Sequence, residues 1–206
     1  MTRRASSRPA RAARPGRSHW VAPVGLVPHP RFGAMPRFTS AAVTGDLSRP
    51  LPHYRYTAAT VIAGTVVCAD LRRQVGATVA TPYYLDVLLT CRGCRRPFIF
   101  FADEQQHWYE ELGFSLDAWT EHCVPCRKLG QQRRVRFHRY ADAIVQATLP
   151  DAALAQLLDD ARALWVEGRL RKRATVERLV SRARRQLPEH PATTALAALL
   201  RSQRKG

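Results

Sequence analysis

Two Cys-x-x-Cys pairs, Cys91/Cys94 and Cys123/Cys126, are the residues of this chain best suited to chemistry. Zinc takes four ligands in a tetrahedron with sulfur at ~2.3 Å, and an all-cysteine set is one of its structural shells. A Cys-x-x-Cys turn presents two thiolates to the same side, and N–H groups in the turn can donate to the sulfurs. The 28 residues from 95 to 122 leave room for a strand, a helix and a return between the pairs. The pattern predicts one structural zinc ion (Zn2+) per chain. A dithiol redox centre and a sulfur-ligated iron site use the same residue types and stand beside it. Five cysteines in a secreted domain would suggest disulfides, but paired Cys-x-x-Cys spacing marks a metal site in a reducing compartment. A cytoplasmic location is therefore expected.

The residues around the pairs refine this picture. Gly93 suits a tight turn because glycine adopts positive φ without steric cost. Pro125 has no N–H, which removes one donor from the second turn. Four thiolates around Zn2+ carry a net charge of −2, and Arg92, Arg95, Arg96, Arg127 and Lys128 are placed to offset it. His107 reads as a helix-surface residue, and His122 is a spare ligand beside Cys123. The fifth cysteine, Cys68, reads as a small buried apolar residue. Glu104, Glu110 and Glu111 read as the exposed face of a short helix. A catalytic zinc keeps an open position, whereas four cysteines close the shell. With no nucleophile motif, phosphate loop or paired carboxylates, a non-enzymatic protein with no small-molecule substrate is expected.

Elements to carry these ligands can be read on both sides of them. Pro82 to Leu89 predicts a strand delivering the chain to Cys91, and Phe98 to Phe101 a strand leaving Cys94. Asp103 is placed to cap a helix running to about Leu112 and closed by Gly113, with Trp108 and Leu112 on one face. The chain then returns through Phe114 and Trp119 to Cys123.

These residues, taken together, resemble the zinc-ribbon (zinc-binding) domain family of uncharacterised, mostly bacterial proteins. The resemblance rests on Cys91 and Cys94, Phe98 and Phe100, Glu104-Gln105, Trp108-Tyr109, Gly113-Phe114, and Cys123, Cys126 and Arg127. A lead-in from Ala69-Asp70-Leu71 to Gln74 and Tyr83 to Asp86 extends it over roughly residues 60 to 130. Phe101 stands where family members commonly carry a threonine cap, and Pro125 is unusual in the second pair. The resemblance implies zinc binding by the four cysteines and supplies neither substrate nor partner.

The remainder of the chain is read from periodicity and charge. Tyr140 to Leu149, a helix from Asp151 through Leu154, Leu157, Leu158, Ala161, Leu164 and Trp165 to Gly168, a stripe from Val176 to Leu187, and Ala195 to Leu200 predict a small helical bundle. Residues 1–58 are Arg- and Pro-rich, with Asp46 the only acid before residue 50, and predict a disordered basic tail. A transit peptide, a nucleic-acid arm, and sequence ahead of a true start at Met35 are competing readings, and a plain disordered tail is preferred to them. Roughly the first 50 residues are expected to be dispensable for folding. The expected fold class is α+β: tail 1–58, a four-cysteine zinc ribbon with one inserted helix at 59–137, and a helical region at 138–206. No run approaches the ~20 apolar residues of a spanning helix, so no membrane partner is expected.

Lys+Arg total 33 against 16 for Asp+Glu, a net charge of +17, although only three of the basic residues are lysines. Such an Arg and Ala bias also accompanies GC-rich coding, and part of the charge serves the zinc centre. The remainder points to RNA or a ribonucleoprotein such as the ribosome, with Arg133, Arg134, Arg136, Arg171, Lys172 and Arg173 as candidate phosphate contacts. A protein–protein adaptor stapled by zinc is the alternative, and a thiol redox or iron-binding protein a third.

Overall fold

The structure, a computed structural model, describes residues 20–39, 51–76 and 80–202. It divides into two compact units, one ending at Cys126 and one beginning at Arg127. The sequence placed this division near residue 137. It falls earlier because the basic run beyond Arg127 belongs to a helix whose side chains engage the second unit.

The first unit is built on an antiparallel hairpin, β3 (Val87–Thr90) with β4 (Pro97–Phe100), preceded by a smaller pair, β1 (Val67–Cys68) with β2 (Tyr83–Tyr84). The single strand expected over Pro82–Leu89 is thus two, with different partners. The break lies at Leu85-Asp86, where side chains bond both Leu85 groups and the Asp86 N–H, and the Asp86 carbonyl accepts the Ile62 N–H at 2.8 Å. Leu85 N–H donates to Tyr56 Oη at 3.2 Å, and Gln105 Nε2 donates to Leu85 O at 2.7 Å. The Asp86 carboxylate accepts the N–H of Ala102 at 2.7 Å and of Arg37 at 2.9 Å.

Both faces of the hairpin are covered, which explains the unbroken apolar run at Phe98–Phe101. Phe98 and Phe100 pack against Cys91 and Cys123, while Ile99 and Phe101 pack with Ile62, Trp20, Leu26 and Phe32. Both edges are covered too. Val27 pairs with Phe98 in parallel, and Val61 pairs with Val87 antiparallel. Unpaired strand edges invite wrong partners, and these short bridges close them.

The expected tail is corrected by these contacts. Residues 20–39 and 51–58 belong to the fold: Val27, His53 and Tyr56 are buried, and Arg37 forms a 2.9 Å ion pair with Asp103. Each residue packs singly through a bridge or a turn, so no periodicity announces the segment. Residues 1–19 and 40–50 of the expected tail lie outside the described residues.

Helix α1 (Ala102–Gln106) continues into a π-helical turn, His107–Glu111, with Gly113 at φ +66° beyond it. Asp103 does not cap α1: the residue at the cap is Phe101, and the first N–H is taken by Asp86 from the break between β2 and β3. The wider π turn also moves the buried face. Tyr109 is fully buried while Leu112 is half exposed, so the expected Trp108/Leu112 face is corrected. Glu104 and Glu110 are buried and not surface residues: Glu104 lies 3.5 Å from His29, and Glu110 accepts the Asp70 N–H at 2.9 Å. Cys68, expected to be buried, is exposed.

Helix α2 (Val124–Ile144) takes in the whole basic stretch and ends at Ile144, so the helix expected over Tyr140–Leu149 starts earlier and stops sooner. The second unit holds its remainder with α3 (Asp151–Val166), α4 (Arg173–Gln186) and α5 (Pro191–Ser202). Apolar stripes of α3, α4 and α5 meet in one core around Leu154, Leu158, Leu164, Val176, Ala183 and Leu196. Gly168, at φ +67°, ends α3, with Gly168 N–H bonding Trp165 O and Arg169 N–H bonding Leu164 O. Among the described residues, no helix is long and apolar enough to cross a membrane.

Candidate metal centre

The hairpin and the start of α2 bring the four cysteines together. Cys91 and Cys94 lie in the turn between β3 and β4, and Cys123 and Cys126 flank the first residues of α2. The turn is closed by Cys91 N–H bonding Arg96 O and Arg95 N–H bonding Cys91 O, each at 2.9 Å. The positive φ expected at Gly93 falls instead on Arg95, at +61°. Gly93 is needed for a different reason: a Cβ there would lie 3.2 Å from Cys126 Sγ and 3.3 Å from His122 Cδ2. The glycine lets the second pair approach.

The second pair uses the start of a helix. Pro125 costs nothing there, because the first N–H groups of a helix have no partner within it. The Cys126 N–H donates to the Cys123 sulfur, so the missing Pro125 donor is replaced one residue on. Arg92 ties the two halves together, its N–H bonding Glu121 O at 2.8 Å and its guanidinium pairing with Glu121 at 2.9 Å. Arg96 Nε donates to Gly25 O at 2.8 Å. Two of the five cations expected to offset the thiolates are therefore also occupied in joining segments.

All four Sγ atoms lie within 4.8 Å of one another, and Cys94 Sγ is 3.8 Å from Cys123 Sγ. Zn–S arms of ~2.3 Å in a tetrahedron put sulfurs ~3.8 Å apart, so the donor set fits that ion. The cysteines are not joined as disulfides. Their electrostatics call for a cation. Burial acts to raise the Cys91 thiol, but N–H groups of Cys94, Cys123 and Gly93 outweigh it and bring the pKa down to about 6. Burial raises Cys123, and burial together with the neighbouring thiols pushes Cys126 up to about 12. Adjacent sulfurs resist ionising together, and a dication supplies the charge that lets them do so.

Trp108, Trp119, Phe98, Phe100 and Val27 pack on the side of Cys91, Cys123 and Cys126, while Cys94 is exposed. His122 and His107 are not part of the four-sulfur group, and His107 bonds Glu111 at 2.6 Å on the helix surface. Asp86 and Gln105 were named only within the family resemblance, with no structural role assigned, and Glu121 was not named.

The candidate phosphate contacts divide into two groups. Arg133 lies 3.2 Å from Glu167, Arg136 lies between Asp160 and Glu167, and Arg173 pairs with Glu177 at 2.8 Å and donates to Leu200 O. Arg139, not among the candidates, makes two 2.6 Å hydrogen bonds to the buried Asp160. Arg134, Arg171 and Lys172 are exposed.

Residues 85–135 match the family described as Probable treble clef domain. The geometry agrees: a hairpin turn supplies the first ligand pair and the start of a helix the second. Within the zinc-binding class read from the sequence, this segment is a treble clef, because its second pair sits on α2 and not on a second hairpin. No curated protein and no solved structure matches the chain.

Proposed function

We propose that this chain is a non-enzymatic, cytoplasmic protein whose four cysteines hold one structural zinc ion, and that it docks onto RNA or a ribonucleoprotein. The observation that carries the reading is a contrast in the basic residues. Arg133, Arg136, Arg139 and Arg173 meet carboxylates within the second unit, while Arg134, Arg171 and Lys172 stand exposed beside them. Cations without acidic partners attract polyanions, and a closed four-sulfur shell suits a scaffold better than a catalyst. Replacing Arg134, Arg171 and Lys172 by Ala tests this. Binding to structured RNA should weaken, and the slope of log K against log salt should flatten by roughly 0.7–0.9 for each lost contact. Metal content should not change. No binding by the unmodified protein at low salt would overturn the RNA reading.

One observation favours a protein partner as the second reading. A cavity of about 370 Å³ between α3 and α5 is lined by Val166, Ala195, Ala198 and Leu199 together with Arg162 and Ser202. A thiol redox or iron protein is the third reading, and iron in the purified protein would favour it.

A further inference from the structure

A column of rings runs from the wall of the metal centre to the surface of the first unit. Trp119 packs beside Cys91 and Cys123 and meets Phe100 edge-on at 5.3 Å. Its ring stacks on His53 at 5.2 Å and 22°, and His53 stacks on Tyr54 at 4.9 Å and 19°. The middle ring is fixed. His53 is buried, its Nε2 bonds Leu116 O at 2.9 Å, and its Nδ1 accepts the Arg55 N–H at 3.1 Å. With a carbonyl at one nitrogen and a donor at the other, the ring is the neutral tautomer carrying its proton on Nε2. The last ring, Tyr54, is 68% exposed. Arg55 lies beside it, 5.3 Å from the Tyr54 centroid and 5.9 Å from that of Trp119, with Nε donating to Tyr54 Oη at 2.9 Å.

An exposed ring held by a hydrogen bond at the end of a stack offers a flat π face at little ordering cost. The charge beside it selects the ligand. Cations also use aromatic faces, but the Arg55 guanidinium already occupies that role and repels another positive group. It favours an aromatic group that carries an anion, and a nucleotide is such a group. Bases inside a duplex are already stacked on one another, whereas those of a single strand are free to stack on a side chain.

We propose that Tyr54 and Arg55 form a stacking platform for one base of a single-stranded RNA, with Arg55 meeting the adjoining phosphate. The proposal rests on the RNA reading above and deepens it, by adding a base-contacting site in the first unit to the phosphate-contacting residues of the second. Stacking of this kind is tolerant of sequence, so one base should serve about as well as another.

The test is fluorescence anisotropy on the full chain, with zinc bound, against a labelled single-stranded RNA and an abasic strand of the same length. The unmodified protein should bind the base-containing strand about five-fold or more tightly than the abasic one, the range expected for one stacked base. Tyr54→Ala should abolish that preference, and Tyr54→Phe should retain it. Zinc content and Trp fluorescence of each variant establish that the metal centre is intact. A preference that survives Tyr54→Ala, or equal binding of the two strands by the unmodified protein, overturns the platform and leaves the RNA reading standing. Binding of neither strand, nor of structured RNA, overturns both.

Discussion

Among the described residues, the first unit spreads its buried apolar side chains over four clusters, whereas the second gathers its own into one. The difference follows from the elements available. The second unit has helices whose leucines and alanines recur on one face, so burying that face forms a core directly. The first has strands of two to four residues and long connections, and no single face to bury. It joins its small clusters with buried polar cross-links instead. Gln105 bonds the carbonyls of Leu85 and Phe100 and the hydroxyl of Tyr56, and Asp86 joins α1 to the segment at Arg37. Such bonds specify geometry well, but each contributes only about 1 kcal/mol net. The metal centre is what such a unit needs, because it adds free energy that scattered clusters cannot supply.

The largest expected effect follows from that contrast. Binding energy at a four-cysteine zinc site is folding energy, on the order of 10 kcal/mol or more. Chelation, or Cys91→Ser, should unfold the first unit and fray the start of α2, while the helical signal of the second unit persists. Cys68→Ser should leave metal content unchanged. Hydrogen exchange followed by mass spectrometry resolves the two units. Uniform loss of protection across both would show that the contrast is false.

A smaller effect tests whether the N-terminal segment is part of the first unit. A chain begun at Met35 loses Val27 from the edge of β4, and Trp20, Leu26 and Phe32 from the face of Ile99 and Phe101. Burial of one large apolar side chain contributes about 1.5–3 kcal/mol, so the loss should be roughly 3 kcal/mol or more. Thermal unfolding of the zinc-loaded chain should show an earlier transition for the first unit and an unchanged one for the second. Equal transitions would return the segment to the status of a tail.

The two regions also differ in how legible they were. The cysteines, the strands flanking them and the stripes of α3 to α5 could be read because spacing alone encodes them. Helix α2 could not: within it only Tyr140 is buried, and its contacts to the rest of the second unit include arginine pairs at three-residue steps, 133, 136 and 139. A run of arginines looks the same whether it meets carboxylates or solvent. The segment around Val27 was missed for a related reason, since single bridges leave no period. Asp86 and Gln105 were visible as residues, but their partners lie many positions away along the chain.

Asp86 supplies the smallest and sharpest test of the first unit's polar cross-links. Burial raises its pKa from 3.8 to about 6, against the opposing pull of the Ala102 and Arg37 N–H groups. A carboxyl whose pKa is higher in the folded chain stabilises the fold below the unfolded value and loses that contribution as pH rises through the folded one. Between about pH 4 and 6 the folded chain holds a proton that the unfolded chain releases, so stability should fall by at most about 1.4 kcal/mol per pH unit. The cysteine ligands act in the opposite direction, because protonation weakens metal binding as pH falls. Asp86→Asn separates the two, since it removes the titration and leaves the cysteines in place. The stability of the unmodified chain relative to this variant should decline from pH 5 to pH 6.5 and level off above it, as read by denaturant unfolding with saturating zinc. A flat difference would mean that the two N–H donors outweigh burial and hold the carboxylate ionised. The cross-link would then resemble the fully paired Asp160 of the second unit more closely than the contrast between the units allows.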